Sequence, residues 1–293
     1  MEKLIQESTG YAAGSVRREC LAACLMTDAE RYTALTEDME PNAVVDMINR
    51  YLEALFGPVL KNGGMVSDVK GDGLLAVWNY DSAGADLRAR VCAACLEIMD
   101  AVEQLNSRQP TRRLPTRLGV DFGPVAIARV GAHERYEYRA VGDPVNTASR
   151  LEELNKVLKT RILVSDGFAH GVSGFLFRDL GTFHLRGKKS WTRVRELMGR
   201  YEDCDARTHE LCRDFAHAIA AYDAGEETEA ERRFRHVQAR FPNDGAARYY
   251  LQRLTAVDQG LATALEPHSG RARTSGWLEH LWRPERRLIQ RAK

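Results

Sequence analysis

The chain has 293 residues, 44% hydrophobic and 28% charged, which is typical of a soluble globular protein with one large or two ordinary domains. Its formal net charge of +1 gives no electrostatic reason to expect a nucleic acid partner. No long apolar run that could span a membrane is present, and the first residues lack the apolar core of a signal peptide. The cysteines fall mostly within apolar patterns, which indicates a reducing, cytoplasmic environment.

The chain divides into four segments that differ in composition and in predicted secondary structure. Residues 1–17 are mixed and punctuated by Gly and Ser, so we expect a lead-in segment. Residues 18–200 alternate strands and helices, which predicts an α/β (α+β) domain with a ferredoxin-like, split βαβ sheet. Residues 205–265 read as helices only and resemble part of a tetratricopeptide repeat, too short to bury a core alone, so we expect them to pack on the first domain or on a partner. The basic, Trp-containing tail, 266–293, could contact an anionic membrane or a protein, or remain a solvated tail.

The first half of the domain begins with an apolar strand, residues 16–26, that ends at Asp28. A helix is predicted from Pro41, a first-turn position that suits proline, to about Gly63. A hairpin follows, and a second helix is expected over residues 83–105.

The second half begins with residues 116–123 and 124–130, which we expect to be two strands paired across a Gly-rich bend. A strand over residues 136–142 leads to a helix that runs to about Leu158, with Asp143 as its N-cap and proline at its first position. Further strands are predicted at residues 161–164 and 174–185, followed by a basic turn.

Two carboxylates stand where apolar runs end. Gly71-Asp72-Gly73 separates two strand-like runs, so Asp72 lies at the tip of a hairpin. Asp28 ends the first strand. Taken alone, Asp72 could be only a turn residue, because Asp-Gly is a common hairpin signal. If the two strands are neighbours, however, the aspartates form the oxygen-rich site that Mg²⁺ prefers.

Four motifs occur in a specific order, at Thr27–Leu35, Gly63–Asp72, Arg117–Pro124 and Val141–Arg150. This succession resembles the catalytic domain of class III nucleotidyl cyclases over roughly residues 18–198. The resemblance implies attack of a ribose 3′-oxygen on the α-phosphorus of a nucleoside triphosphate, with release of pyrophosphate.

The resemblance assigns metal binding to Asp28 and Asp72, assisted by the backbone carbonyl of Ala29. Two Mg²⁺ ions would bind at each site, and Mn²⁺ could replace them. One ion would lower the pKa of the 3′-hydroxyl, and the other would offset triphosphate charge.

The catalytic pair implied by the resemblance is Asn146 and Arg150, whose i, i+4 spacing puts both on one helix face. Asn146 would orient the ribose, and Arg150 would stabilise charge developing around the α-phosphate. Lys188 matches the family's triphosphate-binding lysine, and Arg135 is a further phosphate candidate in a loop of different length. Out of this context, Asn146 and Arg150 alone would indicate only a solvated helix face.

Base recognition departs from the usual family pattern. Adenylate cyclases of this class usually carry Lys four residues before the second metal Asp, and Asp seven before the catalytic Asn; here those positions hold Asp68 and Arg139. With the charges exchanged, Asp68 could still accept from the adenine amine while Arg139 donates to a ring nitrogen. The same two side chains also suit guanine, and cytosine presents the same donor-next-to-acceptor pattern as adenine. A further alternative is an ion pair that closes the pocket and reads no base.

The resemblance favours an adenylate cyclase acting on ATP in second-messenger signalling. Because the family divides each site between two subunits and this chain carries both sets of residues, we expect a homodimer with two equivalent sites. Related bacterial chains often follow a membrane-embedded sensor, so this chain could be the cytoplasmic part of a tethered protein. The alternatives are a guanylate or pyrimidine nucleotide cyclase, a catalytically silent nucleotide-sensing or dimerisation module, and an adaptor that docks through the tail.

Overall fold

The structure, a computed structural model, describes residues 17–79, 86–132, 135–188, 190–258 and 283–284. Within these ranges no helix has the length and apolar character needed to cross a membrane. The strands are β1 (Arg17–Ala29), β2 (Met65–Lys70), β3 (Gly73–Asn79), β4 (Thr116–Ala132), β5 (Arg135–Val141), β6 (Ile162–Ser165), β7 (Phe175–His184), β8 (Thr192–Arg200) and β9 (Arg283–Pro284). The α-helices are α1 (Tyr32–Thr36), α2 (Pro41–Lys61), α3 (Leu87–Arg108), α4 (Asp143–Leu158), α5 (Asp166–Ala169), α6 (Ala206–Asp223), α7 (Glu227–Arg240) and α8 (Gly245–Asp258).

The strands form one sheet in the order β2-β3-β1-β4-β6-β8-β7-β9, with β5 paired to β4. Successive residues of β1 point to opposite faces of this sheet. Ala23 and Leu25 belong to the core beneath α2 and α3, whereas Ala22 and Cys24 belong to a smaller apolar cluster on the other face. The sheet with helices confirms the predicted mixed α/β architecture.

The β2–β3 hairpin is held against β1 by a close backbone contact. A Cβ added at Gly73 would stand 2.6 Å from the carbonyl oxygen of Thr27. The Thr27 hydroxyl also accepts a hydrogen bond from the backbone N–H of Leu74, at 3.1 Å. Only glycine allows this approach, which brings the hairpin tip beside the end of β1.

Helix α4 lies almost directly on β4. A Cβ added at Gly119 would stand 2.1 Å from the carbonyl oxygen of Ala148 and 2.3 Å from the backbone nitrogen of Glu152. A side chain at Gly119 would therefore push the helix off the strand.

Helices α6, α7 and α8, here called the helical extension, pack on the sheet rather than standing apart. Their apolar residues share one buried cluster with α4, β6, β7 and β8, which includes Leu154, Phe183, Phe215, Phe234 and Tyr250. Arg178 of β7, with only 3% of its side chain exposed, pairs with Glu196 of β8 at 2.5 Å and with Asp244, just before α8.

Several local predictions need correction. Residues 116–130 form no bend: β4 is continuous, and its residues from Thr116 to Ala128 all pair with β1. The N-cap of α4 is Gly142 rather than Asp143, which is the first helical residue. Strand β8 was not predicted, because its residues are only partly buried and their pattern is dominated by charges.

The lead-in before Arg17 and most of the tail lie outside the described residues. From the tail, Arg283 and Pro284 pair with His184 and Phe183 at the edge of β7.

Replacement of Arg178 by Ala should destabilise the fold by about 3–5 kcal/mol, because it leaves two buried carboxylates without their shared cation. The measurement is urea unfolding followed by circular dichroism. Arg193→Ala is the matched control: Arg193 also bridges two carboxylates, Asp179 and Asp223, but its side chain is 36% exposed. Solvent screening should keep that loss below about 1 kcal/mol. Equal losses in the two variants would contradict the assigned role of the buried network.

Candidate active site

A cavity of about 480 Å³ opens between the end of β1, the β2–β3 hairpin, the end of β5 and the first turns of α4. Its size lies within the range of about 300–1,000 Å³ typical of small-molecule sites. Four residues predicted from the sequence line it: Asp28, Asp68, Arg139 and Asn146. The structure thus brings together side chains that are more than a hundred residues apart in the chain.

Asp72 joins this group from the hairpin tip. Its Oδ2 accepts a hydrogen bond from the backbone N–H of Ala29 at 3.1 Å, so it lies beside the end of β1. Burial raises the pKa of Asp72, and the neighbouring charge of Asp28 raises that pKa further, against the effect of backbone hydrogen bonds. The two predicted metal aspartates are therefore close enough to repel each other, and a divalent cation would relieve that repulsion.

The donor set suits Mg²⁺ that arrives with a phosphate substrate. Among the described residues there is no group of three His, Cys, Asp or Glu side chains that could hold a metal alone. Mg²⁺ is commonly bound by one or two carboxylates together with substrate phosphates and water. Asp28 and Asp72 supply two such carboxylates, and the carbonyl of Ala29 comes directly after Asp28 at the end of β1.

Arg117 is an important residue of the site to which the sequence reasoning gave no role. Its guanidinium, 8% exposed, donates to Asp28 at 2.5 Å, to Glu30 at 2.7 Å and to Glu152 at 3.0 Å. Lys156 adds a second cation, 3.5 Å from the same oxygen of Asp28. Arg117 lies directly opposite Asp28 in the β1–β4 register, a pairing that only the strand order reveals.

Glu152 was also missed, although its position on the helix offered a signal. It follows Asn146 and Ser149 at helical spacing, and all three line the cavity. Glu152 is 5% exposed. Burial raises its pKa to about 7, with a further contribution from the charge of Asp28, while Lys156 and Arg117 act in the opposite direction.

Two cationic residues predicted for the site, Arg150 within α4 and Lys188 beside its first turn, are not among the described residues that line the cavity. Arg150 is turned along the helix, where it donates to both oxygens of Glu153 at 2.8 and 3.0 Å. Lys188 donates to Asp143 at 2.6 Å and to the Thr147 hydroxyl at 2.8 Å. These two residues flank Asn146 in sequence, so the Lys188 ammonium lies at the first turn of α4.

The predicted base-recognition pair meets at the rim formed by β2 and β5. Asp68 lies 3.6 Å from Arg139 and 3.8 Å from Lys70. Both distances exceed that of a direct hydrogen bond, so these are loose ion pairs. The Ser67 hydroxyl accepts from the backbone N–H of Ala140 at 3.1 Å and ties the two strands together here. Arg135 begins β5, and its side chain lies outside the part of the chain that the structure describes.

A family model of the adenylate and guanylate cyclase catalytic domain matches residues 17–195. The chain belongs to this cyclase family. Adenylate cyclase 1 of Rhizobium meliloti (strain 1021) is 31% identical to it over 195 residues, which are 65% of this chain and 29% of that protein. Adenylate cyclase of Anabaena cylindrica is 27% identical over 171 residues, 57% of this chain and 33% of that one. The cyclase chain thus spans a third or less of the length of these relatives.

Solved cyclase structures share the fold. The guanylyl cyclase Cya2 matches with a TM-score of 0.57 at 21% identity, over 65% of this chain and 98% of its own. The adenylyl cyclase CyaB from P. aeruginosa matches with a TM-score of 0.56 at 24% identity, over 64% of this chain and 99% of its own. The family model ends before the helical extension of this cyclase begins.

The raised pKa of Glu152 predicts that the free energy of unfolding depends on pH in metal-free buffer. Its pKa is about 7 in the folded cyclase and near 4.5 in the unfolded chain, so the folded state holds the proton more tightly. The contribution of Glu152 is therefore most favourable below about pH 4.5 and is lost as the pH rises towards 7, by up to about 3 kcal/mol. Glu152→Gln cannot titrate, so the difference between the unfolding free energies of wild type and variant should change over this range. Parallel pH profiles would contradict the raised pKa.

Proposed function

We propose that the chain is an adenylate cyclase, which converts ATP to 3′,5′-cyclic AMP and pyrophosphate in a homodimer with two shared sites. The proposal rests on one surface of the chain, where Asp28, Asp68, Arg139 and Asn146 line a common cavity and Asp72 adjoins it. Two copies of this surface facing each other across a two-fold axis would form two complete sites, each with the aspartates of one subunit and Asn146 of the other. Asp28, Asp72 and Asn146 match the family's metal and ribose residues, whereas Asp68 and Arg139 occupy its base-recognition positions with the charges exchanged.

In the proposed reaction the 3′-oxygen of the ribose attacks the α-phosphorus, and the bond from that phosphorus to the bridging oxygen of the β-phosphate breaks. The proton of the 3′-hydroxyl passes to water, and pyrophosphate leaves with the bonding electrons. Magnesium, when bound, lowers the pKa of the 3′-hydroxyl and offsets triphosphate charge. Asp28 and Asp72 would hold the metal, and neither need accept the proton itself.

The first half of α4 supplies the groups that orient the substrate. Asn146 lines the cavity, and its amide would hold the ribose hydroxyl. Arg150 would leave Glu153 and turn its planar guanidinium to the α-phosphate, where charge develops. Lys188, held at the start of the helix, would contact the triphosphate.

Two considerations support a homodimer: the family's division of these groups between two subunits, and a sheet face that carries a partly buried apolar cluster. Arg150 and Lys188 would serve the partner's site, together with Asn146, while Asp28 and Asp72 serve their own side. The face of the sheet that carries the smaller apolar cluster offers a surface for a second copy, because the apolar residues packed against that cluster are only partly buried: Cys20, Met26, Met65 and Val145. A C₂ interface buries the same surface on both subunits.

The substrate assignment rests on the relatives named adenylate cyclase and on the rim of the cavity. The Asp68 carboxylate can accept a hydrogen bond from the adenine amine, and Arg139 can donate to a ring nitrogen. Guanine remains the rival base, since a carboxylate also accepts from its N1–H and amine groups. Asp68 and Arg139 stand 3.6 Å apart and both line the cavity, where a bound base would meet them.

The proposed function is tested by supplying purified protein with ATP, GTP, CTP and UTP in turn, with Mg²⁺ or Mn²⁺, and quantifying each cyclic product by mass spectrometry. ATP should be the best substrate. Asp28→Asn and Asp72→Asn should each lower kcat by about 10²–10³-fold, because charge neutralisation at the reacting phosphate is lost. Asp46→Asn, on the exposed surface of α2, is the matched control and should keep wild-type activity.

Absence of any cyclic product from the folded wild-type dimer would contradict the proposal. A preference for GTP or a pyrimidine nucleotide would retain the chemistry and overturn the choice of ATP. In the same panel, Asp68→Asn should reduce the preference for ATP, whereas an unchanged preference would favour a pair that only closes the pocket.

A further inference from the structure

The helical extension shares its core with the helix that carries Asn146 and Arg150. Leu151, Leu154 and Leu158 of α4 are fully buried in the cluster formed with α6, α7 and α8. Asn146, Ser149 and Glu152, on another face of the same helix, line the cavity. Helix α4 is therefore enclosed by the proposed active site on one side and by the extension on another.

The contact between the end of α4 and the start of α8 is especially close. A Cβ added at Gly245 would stand 2.4 Å from the Cβ of Lys159 and 2.6 Å from the carbonyl oxygen of Leu158. Lys159 is the C-cap of α4 and has a positive φ of 57°. A side chain at position 245 therefore requires the end of α4 to move.

A polar clamp fixes this contact relative to the sheet. Asp244 accepts the backbone N–H of Ala247 at 2.7 Å and so caps the first turn of α8. The other oxygen of its carboxylate pairs with buried Arg178 of β7, which also holds Glu196. One carboxylate thus connects the start of α8, next to the end of α4, to the sheet.

We propose that the helical extension positions the catalytic helix: α8, through Asp244 and Gly245, holds the end of α4 and so sets the orientation of Asn146 and Arg150. Both residues lie on the same continuous helix as Leu158, so a displacement at its end tilts the whole element about its contact with Gly119. The extension thereby holds the helix that carries the catalytic residues in place, although its own residues lie beyond the segment that the family model matches. This proposal rests on the proposed function, because it concerns the rate of that reaction.

The test compares Gly245→Ala with Tyr250→Phe. The Tyr250 hydroxyl donates to the carbonyl of Leu180 in β7 at 2.6 Å, so its loss weakens the attachment of α8 to the sheet but leaves the contact between Gly245 and Lys159 unchanged. Both variants should lower the melting temperature. Only Gly245→Ala should lower kcat, by about fivefold with little change in KM, because small displacements of catalytic groups are costly in rate. Hydrogen exchange should become faster in α4 for this variant and remain unchanged there for Tyr250→Phe.

Two more variants keep the test decisive. Lys159→Gly removes the side chain that faces position 245 and suits the positive φ there, so adding it to Gly245→Ala should recover part of the lost kcat. If Gly245→Ala does not fold, Asp244→Asn serves in its place: it keeps the capping oxygen, weakens the pairing with Arg178 and should lower kcat in the same direction.

The outcomes separate the two proposals. Wild-type kcat in folded Gly245→Ala and Asp244→Asn would overturn the positioning role while leaving the proposed function intact. Equal losses of kcat in these variants and in Tyr250→Phe would also overturn it, since they would reflect general destabilisation. An inactive wild-type protein would instead remove the proposed function on which this inference rests.

Discussion

The close approach of α4 to β4 is the constraint on which the rest of the site depends. At Gly119 the helix backbone occupies the space where a Cβ would stand, 2.1 Å from the carbonyl oxygen of Ala148. This contact fixes which turns of α4 face the end of β1, and it brings Asn146 and Glu152 to the same cavity as Asp28. A second glycine contact, at Gly73, brings Asp72 to the same end of β1. Backbone-to-backbone packing, which tolerates no side chain, thus assembles the surface that each subunit contributes to the two proposed sites.

Charge balance explains how so many carboxylates coexist there. Asp28, Glu30 and Glu152 all contact Arg117, and Lys156 stands beside Asp28. These cations partly satisfy the carboxylates before a metal binds, which limits the cost of burying like charges. The arrangement is not fully compensated, as the raised pKa values of Glu152 and Asp72 indicate. A site with residual negative charge is suited to bind a divalent cation.

Sequence reasoning reached the fold class, the β2–β3 hairpin and the helix from Pro41, because these depend on local periodicity and turn residues. It failed where strand pairing decides. Gly123-Pro124 suggested a bend, yet pairing with β1 keeps β4 continuous through Pro124, which lies opposite Leu21. Arg117 received no role because its partner in the register, Asp28, lies 89 residues away in sequence. The sequence likewise did not predict that α4 packs against the extension, since the pattern of each helix shows an apolar face but not what that face contacts.

In the proposed enzyme, each active site combines the aspartates of one subunit with α4 of the other. The most direct test mixes Asp72→Ala protein with Asn146→Ala protein, each inactive alone, and measures cyclic AMP formation by differently tagged subunits that are shown to associate. Each mixed dimer should contain one intact site, so activity should recover to about a quarter of the wild-type value when half of the dimers are mixed. No recovery in mixed dimers would contradict this division of each site between two subunits.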